Sequence, residues 1–481
     1  MDLGLLILLI LVSYFGLLML ISSLMGRQKG NDAFFTGNKK SPWYIVSIGM
    51  IGNSVSGVSF VSVPGMVREN GFLYMQTVAG FFFGYLIIAK VLLPIYYKLE
   101  SPSIYAYLKE RFGNNAYKTG SWFFLLSKGV GAAARIYIVA IILQTLVFDS
   151  IGIPFYLTAA LLIFMIWLYT FRSGIKTIVW TDLLQTIFMV AALILIIFEF
   201  GKHMNLDASG IVNNTISGKW FKLTEFSDWH GKQHFLKQFI SGIFIALVMT
   251  GLDQDMIQKN RTIRKLEDAQ KNMYYYGFAF IPVNLLFLTL GAIMLDFSLK
   301  NGIDLPLKSD EILPLLVTQG YLNTFTTILF TLGIVSATFS GADSSMTSMT
   351  TSYCIDIAEK KDDERLRKTT HIIIALLFVI IMVVFRIVNN ISLIDAIYVI
   401  ASYTYGPLLG LYTFGLITKR IVIDKFIPYI AVFSPVFCYI LQYISQRWLG
   451  YSFGYELLMI NGLLTFSGLW VFSKKLSKNG N

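Results

Sequence analysis

Residues 336–353 read SATFSGADSSMTSMTTSY, inside a longer apolar segment, 325–357, with the length to cross a membrane. Hydroxyls and a carboxylate are costly in hydrocarbon, so they face a bundle interior or a wet cavity. Wound as a helix, Ala337, Ser340, Gly341 and Ser344 share one face, flanked by Asp343 and Thr347. Two readings of that stripe stand side by side. Oxygen atoms at close quarters suit a small hard cation, whereas small residues at every fourth position let two helices pack closely. The balance between them rests on the remainder of the chain.

The 481 residues are 55% hydrophobic and 14% charged, with a mean hydropathy of +0.64, a composition foreign to soluble globular domains. Thirteen apolar runs recur, at roughly 4–25, 43–66, 71–97, 119–148, 153–171, 176–200, 235–252, 273–298, 324–357, 370–388, 391–417, 424–447 and 453–473. An all-α polytopic membrane protein of about thirteen spans follows. The net charge of +11 would suggest a nucleic-acid partner, but its distribution argues against one. One alternate set of loops holds 26 of the 39 Lys and Arg residues and the other set ten, five of those in the loop after residue 200. This is the positive-inside pattern, and it places the N-terminus outside and the C-terminus in the cytoplasm of a cell (inner) membrane protein. The partner it implies is a lipid bilayer, with no nucleic acid. The first run is expected not to be a signal peptide, because Asp2 precedes it and its basic residues, Arg27 and Lys29, follow it. Cys354 and Cys438 lie in or at the ends of runs, so neither a disulfide framework nor a metal site is indicated.

Run 43–66 carries Gly49, Gly52, Gly57, Gly65 and Pro64, with Asn53, Ser54, Ser56 and Ser59 in its middle. Such a helix is expected to be discontinuous, which membranes tolerate only around a buried cavity. Five runs later, 235–252 is short, contains Gly242 and Gly251, and passes into LDQDMIQKNRT. Two interrupted spans five helices apart point to an inverted-repeat transporter with substrate and ions at the breaks. Lys128 and Arg135 sit seven apart within run 119–148, so on one face of a helix. Arg135 either meets an anionic substrate or pairs with Asp182, and the plainer account is a structural ion pair or a snorkelling side chain. Lys90, near a helix end, reads as snorkelling. Asp182 is either an interfacial carboxylate or, with Thr181, Ser340, Asp343 and Ser344, part of an oxygen cage. Loop 201–234 is too small for a core of its own, and IRKLEDAQKN at 263–272 reads as an amphipathic surface helix.

Lined up in this order, the segments resemble the sodium:solute symporter family over nearly the whole chain. The resemblance is carried by SVSGVSFVSVPG at 54–65, GIKTIVWTDLLQ at 174–185, DQDMIQK at 253–259, SGADSSMTS at 340–348 and YGPLLGLYTFGLITKR at 405–420. The pattern is similar to that of the family's bacterial sialic acid and proline carriers. It implies a leucine-transporter-type fold, a five-plus-five inverted repeat with one extra N-terminal and two extra C-terminal helices. The divisions are then 1–42, 43–200, 201–234, 235–420 and 421–481. It also implies a sodium-coupled symporter, functional as a monomer, that imports a small polar organic solute such as a sialic acid, a sugar or a carboxylate.

The same resemblance assigns a first sodium site to the carbonyls of Gly52, Val55 and Ala337 and the hydroxyl of Ser340. Gly341 stands where the family has a second hydroxyl, so one ligand is missing. A second sodium site maps onto Asp182, Ser340, Asp343 and Ser344. Substrate-lining positions map onto Ser54, Ser56 and Ser59; Tyr74 and Gln76 join them on position alone, and Arg135 lies one turn from the family's arginine position, here Gly131. Two rivals are an intramembrane serine hydrolase and a channel-like ion-translocating subunit. The first needs a base beside a serine, and His203, His230, His234 and His371 fall in loops or at a helix end. The second needs a relay of buried charges across several spans, whereas the buried charges here cluster at one locus.

Overall fold

The computed structural model describes every residue except 1–2, 26–29, 100, 172–173, 230, 389–392, 452 and 476–481. Arg27, Lys29, Arg172, Lys478 and His230 therefore lie outside the described residues. Among the described residues, eight helices are long and apolar enough to cross a membrane. They are α1 (Gly4–Leu24), α3 (Tyr74–Lys98), α4 (Asn114–Ile151), α6 (Gly174–His203), α8 (Leu266–Lys300), α9 (Thr324–Ile357), α10 (Glu364–Val388) and α12 (Asp424–Trp448). Two spans are broken: α2a (Trp43–Ser54) meets α2b (Gly57–Asn70) at 62°, and α7a (Phe235–Gly251) meets α7b (Gln254–Asn260) at 69°. Shorter apolar helices α5 (Phe155–Thr170) and α13 (Leu457–Val471), with α11 (Leu393–Ile417), complete the order. Each apolar run of the sequence coincides with one of these helices or bent pairs.

The breaks have local causes. At Val55 and Ser56 the backbone leaves the helical region (φ −87°, ψ 89° and φ −79°, ψ 171°) and α2b restarts at Gly57. At the second break Asp253 is extended and caps α7b, its carboxylate accepting from the Asp255 N–H at 2.9 Å. Helix α3 packs along α7a, and α8, five helices later, packs along both arms of α2. Likewise α6 packs on α9, and α11 packs on α4. Such exchange of partners is what two five-helix units of one architecture produce when they are interleaved. Helix α1 lies against α5 and α6, and α13 against α11 and α12.

The segments outside this core differ in two places from the sequence-based expectation. Residues 263–272 form no separate surface helix, because α8 runs unbroken from Leu266 through Asn272 into the span. Nothing between Asn272 and Met273 interrupts helical hydrogen bonding. Loop 201–234 has no core of its own. Its helix Ala208–Ser217 is capped by Asp207, and Asn214 and Trp220 each donate to Asp296 of α8 at 2.8 Å. Within this loop the Lys222 ammonium and the Ser227 hydroxyl hold the Glu225 carboxyl down to about 2. A two-stranded ribbon, Ile421–Val422 with Ser473–Lys474, joins the segments after α11 and α13.

Candidate functional site

Both breaks open onto one central cavity of about 140 Å³. It is walled by α2 (Ser54, Val55, Ser56, Ser59), α3 (Tyr74, Tyr85), α4 (Lys128, Gly131, Arg135), α7 (Thr250, Asp253), α8 (Asn284) and α11 (Tyr405). Ser62, Met66 and Tyr74 also line a vestibule of about 830 Å³ whose rim includes Glu69, Lys232, Lys308 and Asp310. The cavity therefore communicates with the side that carries loop 201–234. The three serines of α2 and Tyr74 face the cavity as expected. Gln76 does not, because its amide is taken up by the loop, donating to the Gln233 carbonyl at 3.0 Å and accepting from the Glu225 N–H at 2.9 Å.

The polar wall has an asymmetric charge pattern. Lys128 is buried and lies 3.2 Å from Asp253 and 2.7 Å from Asp255. Asp253 also accepts from the Tyr405 hydroxyl at 2.5 Å. Lys128 is therefore an ion-paired side chain that does not snorkel. Arg135 is half-buried on the same face of α4, and among the described residues no carboxylate lies within salt-bridge distance of it. Of the two alternatives for Arg135, the pair with Asp182 does not form among the described residues, because Lys259 and Ser340 engage both oxygens of Asp182.

Asp182 is fully buried, not interfacial. One of its oxygens accepts from Lys259 Nζ at 2.5 Å and the other from the Ser340 hydroxyl at 2.6 Å. The serine-rich helix α9 is buried throughout this region, with Ala337, Ser340, Gly341, Asp343 and Ser344 all sealed from solvent. Asp343 accepts from the Tyr169 hydroxyl at 2.8 Å and from the Ser344 N–H at 2.5 Å. Among the described residues, the Ser344 and Thr347 hydroxyls have no hydrogen-bond partner. Asn53 joins the two breaks. With its amide assigned so that both ends are satisfied, it donates to the Ser340 carbonyl at 3.1 Å and accepts from Lys259 Nζ at 3.3 Å.

Helix α2a is pressed against α6 at Gly49 and Gly52, where an added Cβ would lie 2.9 Å from the Asp182 Cβ and 2.3 Å from the Thr186 hydroxyl. Thr186 Oγ1 accepts from the Gly52 N–H at 3.1 Å and donates to the Asp182 carbonyl at 2.7 Å. The end of α2a therefore sits beside α9, and among the described residues none of the carbonyls of 52–55 accepts a backbone hydrogen bond. A Cβ added at Gly341 would have the Asn53 side-chain amide and backbone carbonyl as its nearest neighbours, at 3.8 and 3.9 Å. Sequence reasoning missed Lys259, Asp253 and Asp255 as members of this site. Lys259 was assigned to a cytoplasmic loop by the charge pattern, yet its side chain is 1% exposed. The signal present was the acidic and basic content of DQDMIQK straight after a broken span. The three described histidines stand apart: His371 contacts Thr170 and Thr350, His234 caps the N–H of Leu236, and His203 lies 3.5 Å from Glu199 at the end of α6.

Residues 34–423 match the profile of the sodium:solute symporter family. The chain is 25% identical over 428 residues to the sodium/sialic acid symporter NanT of Aliivibrio fischeri, which covers 85% of this chain and 82% of that protein. It is 26% identical over 251 residues to human sodium-coupled monocarboxylate transporter 1, covering 52% of this chain and 40% of that protein. A sodium-coupled sialic acid symporter solved in a substrate-bound outward-open state superposes with a TM-score of 0.83. That match is 19% identical and covers 99% of this chain and all of the other.

Proposed function

The chain belongs to the sodium:solute symporter family and is a sodium-coupled membrane transporter rather than an enzyme; from that premise we propose that it imports a small organic anion bearing a carboxylate. The observation that carries the reading is Arg135, a guanidinium on the cavity wall with no acidic partner among the described residues. A planar fork of donors fits a carboxylate in two parallel hydrogen bonds. Ser54, whose hydroxyl is shared with Tyr276 at 2.6 Å, lines the cavity with Ser56, Ser59 and Tyr74, so hydroxyls stand on the wall beside a bound acid. The named relatives carry sialic acid and monocarboxylates, which are anions.

Sodium sits, in this proposal, between the frayed end of α2a and the small face of α9. The carbonyls of Gly52, Val55 and Ala337 and the Ser340 hydroxyl supply its oxygens. The Ser340 hydroxyl donates its hydrogen bond to Asp182, so its lone pairs stay free for a cation. Among the two readings of the serine-rich stripe, this favours the ion, although the stripe also packs closely. The repeats 43–200 and 235–420 rock about this site, the vestibule faces the outside, and the N-terminus lies outside with the C-terminus inside. A single chain contains the whole site, in keeping with a monomer. In proteoliposomes, uptake of a carboxylate found by counterflow screening requires an inward sodium gradient that potassium does not replace. Ser340→Ala raises the sodium concentration for half-maximal uptake; an unchanged sodium dependence in a folded variant refutes the ion site, and sodium-independent uptake refutes symport.

A further inference from the structure

The residues at the second sodium position do not present an open cation site. Asp182 is the carboxylate on which such a site depends, and both of its oxygens are already engaged, one by the Lys259 ammonium and one by the Ser340 hydroxyl. Lys259 projects from α7b, the seven-residue helix after the second break, and its ammonium and the Asp182 carboxylate are each 1% exposed. Asn53 contributes a further oxygen to the ammonium at 3.3 Å. The ammonium thus has carboxylate and amide oxygens of the kind a hard cation takes. A sodium ion on Asp182 would stand beside a second positive charge in a medium of low dielectric, where like charges repel strongly. One of the two must leave.

We propose that Lys259 is a tethered cation that fills the second sodium position, so that this chain binds one sodium ion per transport cycle. The inference rests on the symporter reading and on the first sodium site. It accounts for the position of Asp343 and Ser344. Asp343 is buried three residues along α9 from Ser340, and among the described residues its donors are a tyrosine hydroxyl and a backbone N–H, while the Ser344 hydroxyl has no partner. These groups, with Asp182, are the oxygens of a cage whose charge is met by a side chain. Removing the ammonium leaves Asp182 and Asp343 close to one another with oxygens to spare, and sodium is then the available cation.

The test measures sodium stoichiometry on purified full-length protein in lipid nanodiscs, by equilibrium binding of radioactive sodium. The wild-type protein binds one ion. Lys259→Met, which keeps the aliphatic stem and removes the charge, binds two, and its sodium-induced rise in melting temperature becomes cooperative, with a Hill coefficient approaching two. Lys259→Met combined with Asp182→Asn returns the count to one and serves as a charge-balanced variant if Lys259→Met alone does not fold. A wild-type count of two overturns the proposal. So does a folded Lys259→Met that still binds one ion, or a double variant that binds two. A wild-type protein that binds no sodium refutes the proposed function instead, so the two failures are distinguishable.

Discussion

Gly52 is the point where the geometry of the broken helix is most exposed to a single methyl group. A Cβ there would lie 2.3 Å from Thr186 Oγ1 and 3.3 Å from its Cβ, against ordinary contacts of 3.4–4 Å. Thr186 is not free to swing away, because the same hydroxyl accepts from the Gly52 N–H and donates to the Asp182 carbonyl. Gly52→Ala therefore pushes α2a off α6 and tilts the carbonyls of 52–55 away from α9. Overpacking by one methyl costs about 1–3 kcal/mol. If that strain falls on the ion site, the sodium concentration for half-maximal uptake rises roughly 5- to 150-fold, since each 1.4 kcal/mol is about tenfold. Uptake as a function of sodium in proteoliposomes is the assay, with a melting curve to show that the protein is folded. Thr186→Ala removes the clashing hydroxyl, so the double variant lies well below the sum of the two single effects. Strict additivity, or an unchanged sodium dependence in folded Gly52→Ala, refutes the reasoning.

Three further variants test neighbouring parts of the site. Gly341→Ser has room for its side chain and adds an oxygen facing Asn53; one extra ligand worth about 1 kcal/mol lowers the half-maximal sodium concentration about fivefold, and a rise would show that the face is not an ion ligand surface. Arg135→Lys replaces a fork by a point charge and weakens solute affinity by roughly tenfold or more at unchanged melting temperature and sodium dependence; a fall in stability in step with activity would show a structural role. Lys128→Met leaves Asp253 and Asp255 buried without their cation, which costs about 3–5 kcal/mol and lowers the melting temperature, and adding Asp255→Asn recovers part of the loss. A melting temperature unaffected by Lys128→Met contradicts the ion-pair geometry.

What could be read from the sequence, and what could not, divides along a physical line. Helix breaks are local events. Glycine and serine in the middle of run 43–66, and the polar tail after Gly251, announce them within a few residues, and the chain bends at both places. The oxygen-rich face of α9 is equally local, since helical spacing alone sets Ala337, Ser340, Gly341 and Ser344 together. Ion pairing is not local. Lys259 and Asp182 are 77 residues apart and Lys128 and Asp253 are 125 apart, so their meeting depends on how the two repeats interlock. A basic residue that follows an apolar run looks like a loop charge whether or not the chain turns back into the bundle. Gln76 fails for the converse reason: its place on α3 predicted a cavity-facing amide, but loop 201–234 folds over the helix and takes both of its hydrogen-bonding ends.

The pairings that the sequence hides also join the parts of the site. From Ser340 on α9 the contacts run to Asp182 on α6, to Lys259 on α7b and to Asn53 at the first break. On the cavity side, Lys128 on α4 holds Asp255 and Asp253 at the second break, and Tyr405 on α11 holds Asp253 in turn. The second broken helix is thus tied by ion pairs to α4 and α6, and the first by the Asn53 amide to α9 and α7b, at the level where ion and solute are proposed to bind. On the proposed function, a sodium ion drawn to the lone pairs of Ser340 strengthens the packing of α2a, α6 and α9, and a carboxylate at Arg135 adds negative charge to the cavity wall that carries the Lys128 pair. Each ligand can bias the same packing only by binding its two arrangements with different affinity. That reciprocity makes a direct demand: sodium must tighten solute binding by the same factor by which solute tightens sodium. Titrating one ligand at several fixed concentrations of the other measures both factors, and unequal values would mean that the two sites do not share one two-state element.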